Sequence, residues 1–569
     1  MHEALRISEI LFHIFRDEDL RLSDLQHITL VCSVWNEIAV AIMWERPRGD
    51  TSILKLLPSD AWSMVEAVSR SERGDLVYVG MRLFRRFAIT RALCQADWDQ
   101  MMKRSRYVRS IRWDNLCHGD ETTLDKSVYE HILANPPRER LLPALQTLTC
   151  VIRNAESAEI IQLLVGPSLQ HWILSVELRR GVHLSDIATA ISFARHNCPH
   201  IQQFAFLLSN LRGSPFHDFT CVENAIMDLL CGAGGRMSTL AIDMPFRPSL
   251  LPALACYPSL HDIKLSNRMP DLTTMEKLPS NGYPSLRSLI LVGFPLRTVI
   301  GLVQSWGGCR PIETLEVSDL GSITSRLLLE LTEALEKHCD PKTMRQIHIM
   351  VKPHGVPWDV ESWGEPFALH YAHLAPLRAF SNLEYLTVHA ARGGNKITDA
   401  EYADLVPSWR HLGRIDLLAN GNREPPPASL AALLPFARCQ NTLSRVAIQL
   451  DASVVPPNDP PAHATNESVV SLAVGNAPIA NAYAVALYLS KLFPRLQQTG
   501  YWNDLLNDPE TVRRERMWLT VERIFATAKN IKCSVQELGV VCQNMGSTIE
   551  DMCTDYGGPR DAVIYPWDI

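Results

Sequence analysis

Tyr283-Pro284-Ser285-Leu286-Arg287-Ser288-Leu289-Ile290-Leu291 nearly repeats Tyr257-Pro258-Ser259-Leu260-His261-Asp262-Ile263-Lys264-Leu265. In both, an apolar anchor is followed by apolar residues three and five positions later. The template recurs at Leu145/Leu148/Cys150, Leu169/Trp172/Leu174, Ile201/Phe204/Phe206 and Met237/Leu240/Ile242. It continues at Ile312/Leu315/Val317, Met344/Ile347/Ile349, Leu383/Leu386/Val388, Leu412/Ile415/Leu417 and Leu443/Val446/Ile448. Val108/Ile111/Trp113 supplies a first copy, and Phe493-Pro494-Arg495-Leu496 a degenerate last one.

The anchors are apolar by definition; the positions between them are not. In the twelve copies from Val108 to Ile448, only 6 of the 36 residues at offsets one, two and four are apolar, against about 17 expected from the chain's 46% hydrophobic content. Such alternation is the period-two signature of a short, half-buried strand. Between the strands lie helical patterns such as Ser325 to Lys337, with Leu327, Leu328, Leu331 and Leu335 on one face. Strand spacing runs from 23 residues (Met237 to Leu260) to 39 (Met344 to Leu383). A strand, a turn and a returning helix fill that length, and the apolar face of each unit is buried only by stacking on its neighbours. The expected fold is an α/β solenoid over residues 101–500. An ordinary doubly wound α/β domain is the competing architecture.

The pattern resembles the leucine-rich-repeat family in its long, irregular intracellular form. The Leu-x-x-Leu-x-Leu match is clear, while the asparagine that usually follows is replaced by Arg153, Glu177, Ser209 and Pro245. With offsets three and five pointing inward, offsets two, four and six point to the opposite face. That places Asp262, Lys264, Glu316, His348, Tyr385, His389, Arg414, Asp416 and Arg445 on a strand-lined surface, the expected contact face for a protein partner.

Residues 1–47 carry a different pattern. Ile7, Ile10, Leu11, Ile14 and Phe15 share one helix face, and Arg16-Asp17-Glu18-Asp19 ends that run. Ser23-Asp24-Leu25-Gln26 reads as a capping box. Leu25, Ile28, Cys32, Trp35, Ala39 and Ile42 then recur at steps of three and four. A few helices in so short a piece make a small core, which leans on a neighbour or a partner.

Ile7-Ser8-Glu9-Ile10-Leu11-Phe12-His13-Ile14-Phe15, then Ser23-Asp24-Leu25, Leu30-Val31-Cys32-Ser33-Val34-Trp35 and Met43-Trp44 resemble the F-box family. Ser8 stands where that family usually has proline, beside the turn that meets the adaptor subunit of SCF-type ubiquitin ligases. The resemblance implies an all-α F-box module ahead of an irregular leucine-rich-repeat strand–helix solenoid, the layout of a ligase substrate receptor. It also implies adaptor contacts through Ile7, Ser8, Glu9, Ile10, Leu11, Ile14, Val31 and Trp44. A repeat scaffold that binds partners without ligase assembly is the alternative, and a helical cap on the solenoid is the alternative for the module.

The remaining expectations are plainer. Residues 48–100 read as a helical linker or amino-terminal cap, and residues 501–569 as a helical cap and tail. Val512, Met517, Val521, Ile524 and Phe525 share one face of a helix there, after Trp502, and residues 555–569 read as loose. With 55 basic and 62 acidic residues for a net charge of -7, the chain shows no footprint of a nucleic-acid binder. Without a membrane-length apolar run or a signal peptide, it reads as soluble, cytoplasmic and/or nuclear. Its 14 cysteines include no Cys-x-x-Cys and read as reduced, so no metal or cofactor is expected.

Three stretches hold residues used in catalysis without the spacing that chemistry needs. Cys231-Gly232-Ala233-Gly234-Gly235 lacks the lysine of a phosphate loop and reads as a turn. His338-Cys339-Asp340 reads as a polar helix terminus, and His389 with Glu384 or Asp416 forms no catalytic constellation. No enzyme is expected. Arg82, Arg85, Arg86, Arg91, Lys103, Arg104, Arg106, Arg109 and Arg112 read as solvated faces of amphipathic helices, with an acidic-partner patch as the alternative. Pro425-Pro426-Pro427 and Pro456 to Pro461 read as surface loops.

Overall fold

The computed structural model describes residues 7–17, 19–68, 83–113, 122–178, 182–209, 218–247, 249–267, 282–319, 324–351, 367–389, 393–418, 425–439, 442–461, 463–475, 477–501 and 509–555. Arg82, Trp502 and residues 556–569 lie outside these. The chain divides into two compact units, residues 1–250 with 257–265, and residues 251–256 with 266–569.

The first unit opens with three helices: α1 (Ser8–Phe15), α2 (Leu22–Ile28) and α3 (Ser33–Glu45). Leu11, Phe15, Leu25, Ile38 and Ala39 form their shared core, with Phe12, Ile28, Trp35, Ile42 and Met43 packed around it. Phe15 meets Trp35 edge to face, 5.3 Å between ring centres. The expected capping box is shifted: α2 begins one residue before Ser23, and the Arg21 amide donates to Asp24 Oδ2 at 2.9 Å. Glu45, at the end of α3, ties this module to the first repeat strand. Its carbonyl accepts from the Arg109 amide at 3.0 Å, and its carboxylate meets Arg109 Nε at 3.4 Å.

Residues 48–100 are not the helical linker expected. The helices Asp50–Leu54 and Gln95–Ser105 flank an antiparallel strand pair, Trp62–Val68 with Leu83–Ile89, and Thr122–Leu124 adds a parallel third strand. Arg85 and Arg86 accordingly lie on a strand and not on a helix. Arg91 joins Asp60 at 2.8 Å and Asp97 at 2.7 Å.

Six parallel strands follow in the first unit: Ser110–Trp113, Thr147–Ile152, His171–Glu177, Gln203–Ser209, Thr239–Asp243 and Asp262–Ser266. The second unit has eight: Ser288–Val292, Thr314–Asp319, Gln346–Val351, Tyr385–His389, Arg414–Leu417, Arg445–Ile448, Ser471–Gly475 and Gln498–Tyr501. All twelve copies of the template from Val108 to Ile448 are strands, one beginning two positions after each anchor. Register follows chemistry. Leu148 pairs with Trp172, Phe204 and Leu240 in turn, and Leu289 with Leu315, Ile347, Leu386, Ile415, Val446 and Leu472. Every one of these offset-three side chains is buried, so neighbouring units bury each other's apolar row. The result is an α/β repeat fold of parallel strand–helix units.

The returning helices change along the chain. Ala155–Leu164, Leu184–Asn197 and Ser325–His338 are full α-helices. Near Pro376, Pro407 and Pro435 the helix gives way to short 3₁₀ and α turns, because proline donates no amide to a longer ladder. None of the thirteen described cysteines is in a disulfide, and no helix among the described residues is long and apolar enough to cross a membrane.

Candidate functional site

The helical module offers more apolar side chains than its core takes up. On α1, Leu11 and Phe15 point inward, while Ile7, Ile10 and Ile14 are 46%, 39% and 45% exposed. Ser8 and Glu9 are exposed as well. Leu22, Leu30, Val31 and Val34 join the exposed apolar set from α2, the turn after it and the start of α3. Leu11 corrects the sequence reading: it is fully buried, so it builds the module and offers nothing to a partner. Trp44 is half-buried, with the Arg104 guanidinium 6.0 Å from its ring centre. Leu22, Leu30 and Val34 were missed as contact candidates. Their signal was available, since they are apolar residues left over once the core positions are filled.

On the second unit, the strands present a polar face opposite the core. In-register pairing lines up one row as Thr314, Gln346, Tyr385, Arg414, Arg445 and Ser471, and a second as Glu316, His348, Thr387, Asp416, Ala447 and Ala473. Of the expected partner-face residues, Glu316, His348, Tyr385, His389, Arg414, Asp416 and Arg445 therefore share this face. Asp262 and Lys264 are exposed on the last strand of the first unit and do not belong to this cluster.

Asp416, expected on the partner-contact face, is buried. Its side chain is nearly inaccessible, 2.7 Å from His389 Nε2 through Oδ1 and 3.9 Å from Arg414 through Oδ2. Thr387, Ala447 and Ala473 in the same row are buried too, with Leu418 packed on the two alanines. Asp416 is thus buried beside the His389 and Arg414 side chains. Tyr385 is exposed, while His389, Arg414, Arg445, His348 and Glu316 are half-buried.

Burial weakens proton binding on this face. It pushes the Arg445 guanidinium down to about 10, with the positive charge of Arg414 adding to the effect and Asp416 opposing it. Burial likewise lowers His348, against the pull of Glu316. One residue earlier along the strands, charges alternate in sign: Arg287 meets Glu313 at 3.2 Å, and Arg345 meets Glu384 at 3.2 Å.

The helical side of the second unit has an apolar groove of about 530 Å³ lined by Val406, Trp409, Leu434 and Pro435. No group of three or more metal-ligating side chains occurs among the described residues. His338 ends its helix and Cys339 is buried beside it, as the reading of a helix terminus expects.

Neither a protein-family model nor a curated protein matches the sequence. A crystal structure of the Rad7 and Elc1 complex in yeast is similar at 13% identity, over 72% of this chain and 81% of that chain, with a TM-score of 0.34. That distance transfers no residue, partner or activity to this chain.

Proposed function

We propose that the chain is a substrate-recognition subunit of an SCF-type ubiquitin ligase. In this reading the amino-terminal module docks on the adaptor, the strand face of the repeats holds a protein target, and the chain performs no covalent chemistry itself. The observation that supports it is the set of exposed apolar residues on the module. Ile7, Ile10, Ile14, Leu30 and Val31 remain in solvent although the module already has a closed core. So many apolar side chains on one small element mark a protein contact.

The test is a binding titration of the purified chain against the ligase adaptor. Ile10→Asp with Ile14→Asp leaves the core residues Leu11 and Phe15 untouched. Burying each such side chain contributes about 1.5 to 3 kcal/mol, so losing two weakens binding more than about a hundredfold. Ser8 starts α1 without a side-chain cap, and proline suits a first helical turn, so Ser8→Pro should bind as tightly as the parent or more tightly. If the double variant binds like the parent, the ligase reading fails. The chain is then a repeat scaffold.

A further inference from the structure

The outward side of a returning helix ordinarily carries charge. On Ser325–His338 the exposed residues are Arg326, Glu333, Glu336 and Lys337. Two units later this changes. The helix Asp399–Leu405 turns Ala400 and Ala403 outward, and Pro407 of the following 3₁₀ turn continues that face at the spacing i, i+3, i+7. The next unit packs Ala431, Leu434 and Pro435, all half-buried, beside them. Side chains this short on neighbouring elements leave a trough, the groove of about 530 Å³, which is the size of a binding pocket.

The charges around the trough are unevenly matched. Asp399 directs both oxygens to Ser429, whose amide and hydroxyl each donate at 2.7 Å. Asp404, on the adjoining stretch, accepts from Arg378 at 2.8 Å and from the Tyr371 hydroxyl at 2.5 Å. Arg410 and Arg438 also line the trough and are exposed. Neither guanidinium makes a hydrogen bond or ion pair among the described residues. The carboxylates here are therefore bonded already, while two guanidinium forks are not. An exposed apolar trough edged in this way complements an apolar side chain flanked by carboxylates.

We infer that this trough is a docking site for an acidic segment of a partner protein, one that inserts a large apolar side chain into it and sets carboxylates against Arg410 and Arg438. The apolar anchor supplies the burial, and the planar guanidinium forks fit carboxylate oxygens in pairs. The same arginines repel a basic segment, which makes the site selective. Arg410, Ala403 and Pro407 also line a neighbouring cavity of about 710 Å³, so an extended segment can run on past its anchor. The site is on the helical side of the second unit and depends neither on the strand face nor on ligase assembly.

The experiment titrates the full chain, by fluorescence anisotropy, into three labelled peptides: Glu-Asp-Phe-Leu-Glu-Asp, Lys-Lys-Phe-Leu-Lys-Lys and Glu-Asp-Ser-Ser-Glu-Asp. Only the first should bind the parent. Arg410→Glu with Arg438→Glu changes two exposed side chains, so the fold and its melting temperature should persist. This variant should bind the first peptide at least about tenfold more weakly and take up the lysine peptide instead. Ala403→Trp fills the trough from an exposed position with the charges intact, and should also weaken the first peptide at least about tenfold. Failure of the first peptide to bind, equal binding of the serine peptide, or parental affinity in both variants overturns the site. A parent that sediments as a dimer, and as a monomer once the arginines are reversed, overturns it too, because a second copy of the chain then fills the trough.

Discussion

His373 shows how one buried side chain ties stability to pH. It is almost fully buried against Phe367, and both ring nitrogens are engaged. The His370 amide donates to Nδ1 at 3.0 Å, which leaves Nε2 to carry the proton and donate to the Ser325 hydroxyl at 2.8 Å. A second proton on Nδ1 would break the first bond and place a charge in the core. Burial, with His370 adding to it, pushes the imidazole down to about 4 from its ordinary 6.5. The sign follows from proton counting. Below pH 6.5 the unfolded chain binds a proton that the folded chain refuses, so stability is present above 6.5 and falls as pH drops toward 4. The loss at pH 4 is about 3 kcal/mol at most. His348, also lowered by burial, adds in the same direction. Urea midpoints measured between pH 7 and 4 should fall steeply for the parent and less steeply for His373→Gln. Matching slopes would remove His373 from the account.

At the scale of elements, the end of the repeat run decides whether the last strand is protected. Gln498–Tyr501 would be an open sheet edge, a template for unwanted pairing. The helix Pro509–Asn530 covers it. Trp518 is fully buried and donates through Nε1 to the Ala477 carbonyl at 3.0 Å, and the Tyr501 hydroxyl donates to the Thr511 carbonyl at 2.9 Å. Trp518→Ala should cost about 3–5 kcal/mol and make the chain self-associate through the uncovered edge. Calorimetry with light scattering measures both, and an unchanged melting temperature would show that the helix does not protect the edge. Val521, Ile524 and Phe525 of this helix were legible from spacing, because an amphipathic helix on a repeat end has a single apolar stripe. The strand Ser471–Gly475 was not legible. Apolar Val470 stands just before it, and its outward Ala473 is apolar and buried with Leu418, so the polar alternation that marks the other strands is missing. The antiparallel pair Trp62–Val68 and Leu83–Ile89 was missed for a related reason. Trp62, Met64, Val65, Ala67 and Val68 do not alternate cleanly, and no short turn signal links the two strands. Inside the module, spacing marked α1 as apolar on the face holding Ile10, Leu11 and Ile14. Only packing shows that Leu11 turns inward and the isoleucines outward.

Across the whole molecule, the two proposed surfaces rest on cores of very different size. The repeats bury row upon row of offset-three and offset-five side chains, whereas the module has five buried residues and a ring of half-buried ones. A core that small contributes little stability by itself, and its described ties to the rest of the unit are slight, Glu45 with Arg109 and Trp44 with Arg104. The module should therefore open far more often than the repeat strands, and its amides should exchange faster. A ligand that binds only the closed module stabilises it by mass action, by about 2.7 kcal/mol at a hundred times the dissociation constant. Amide exchange in residues 8–45 should then slow by about a hundredfold when the ligase adaptor is added at that level. The parallel strands of either unit should exchange as before, because their cores do not depend on the module. Exchange measured by mass spectrometry on the full chain, with and without adaptor, reads both at once. Protection confined to residues 8–45 supports docking through the module alone. Protection spread over the strand face would mean that the adaptor binds the repeats, and the division of labour between the two surfaces would be lost.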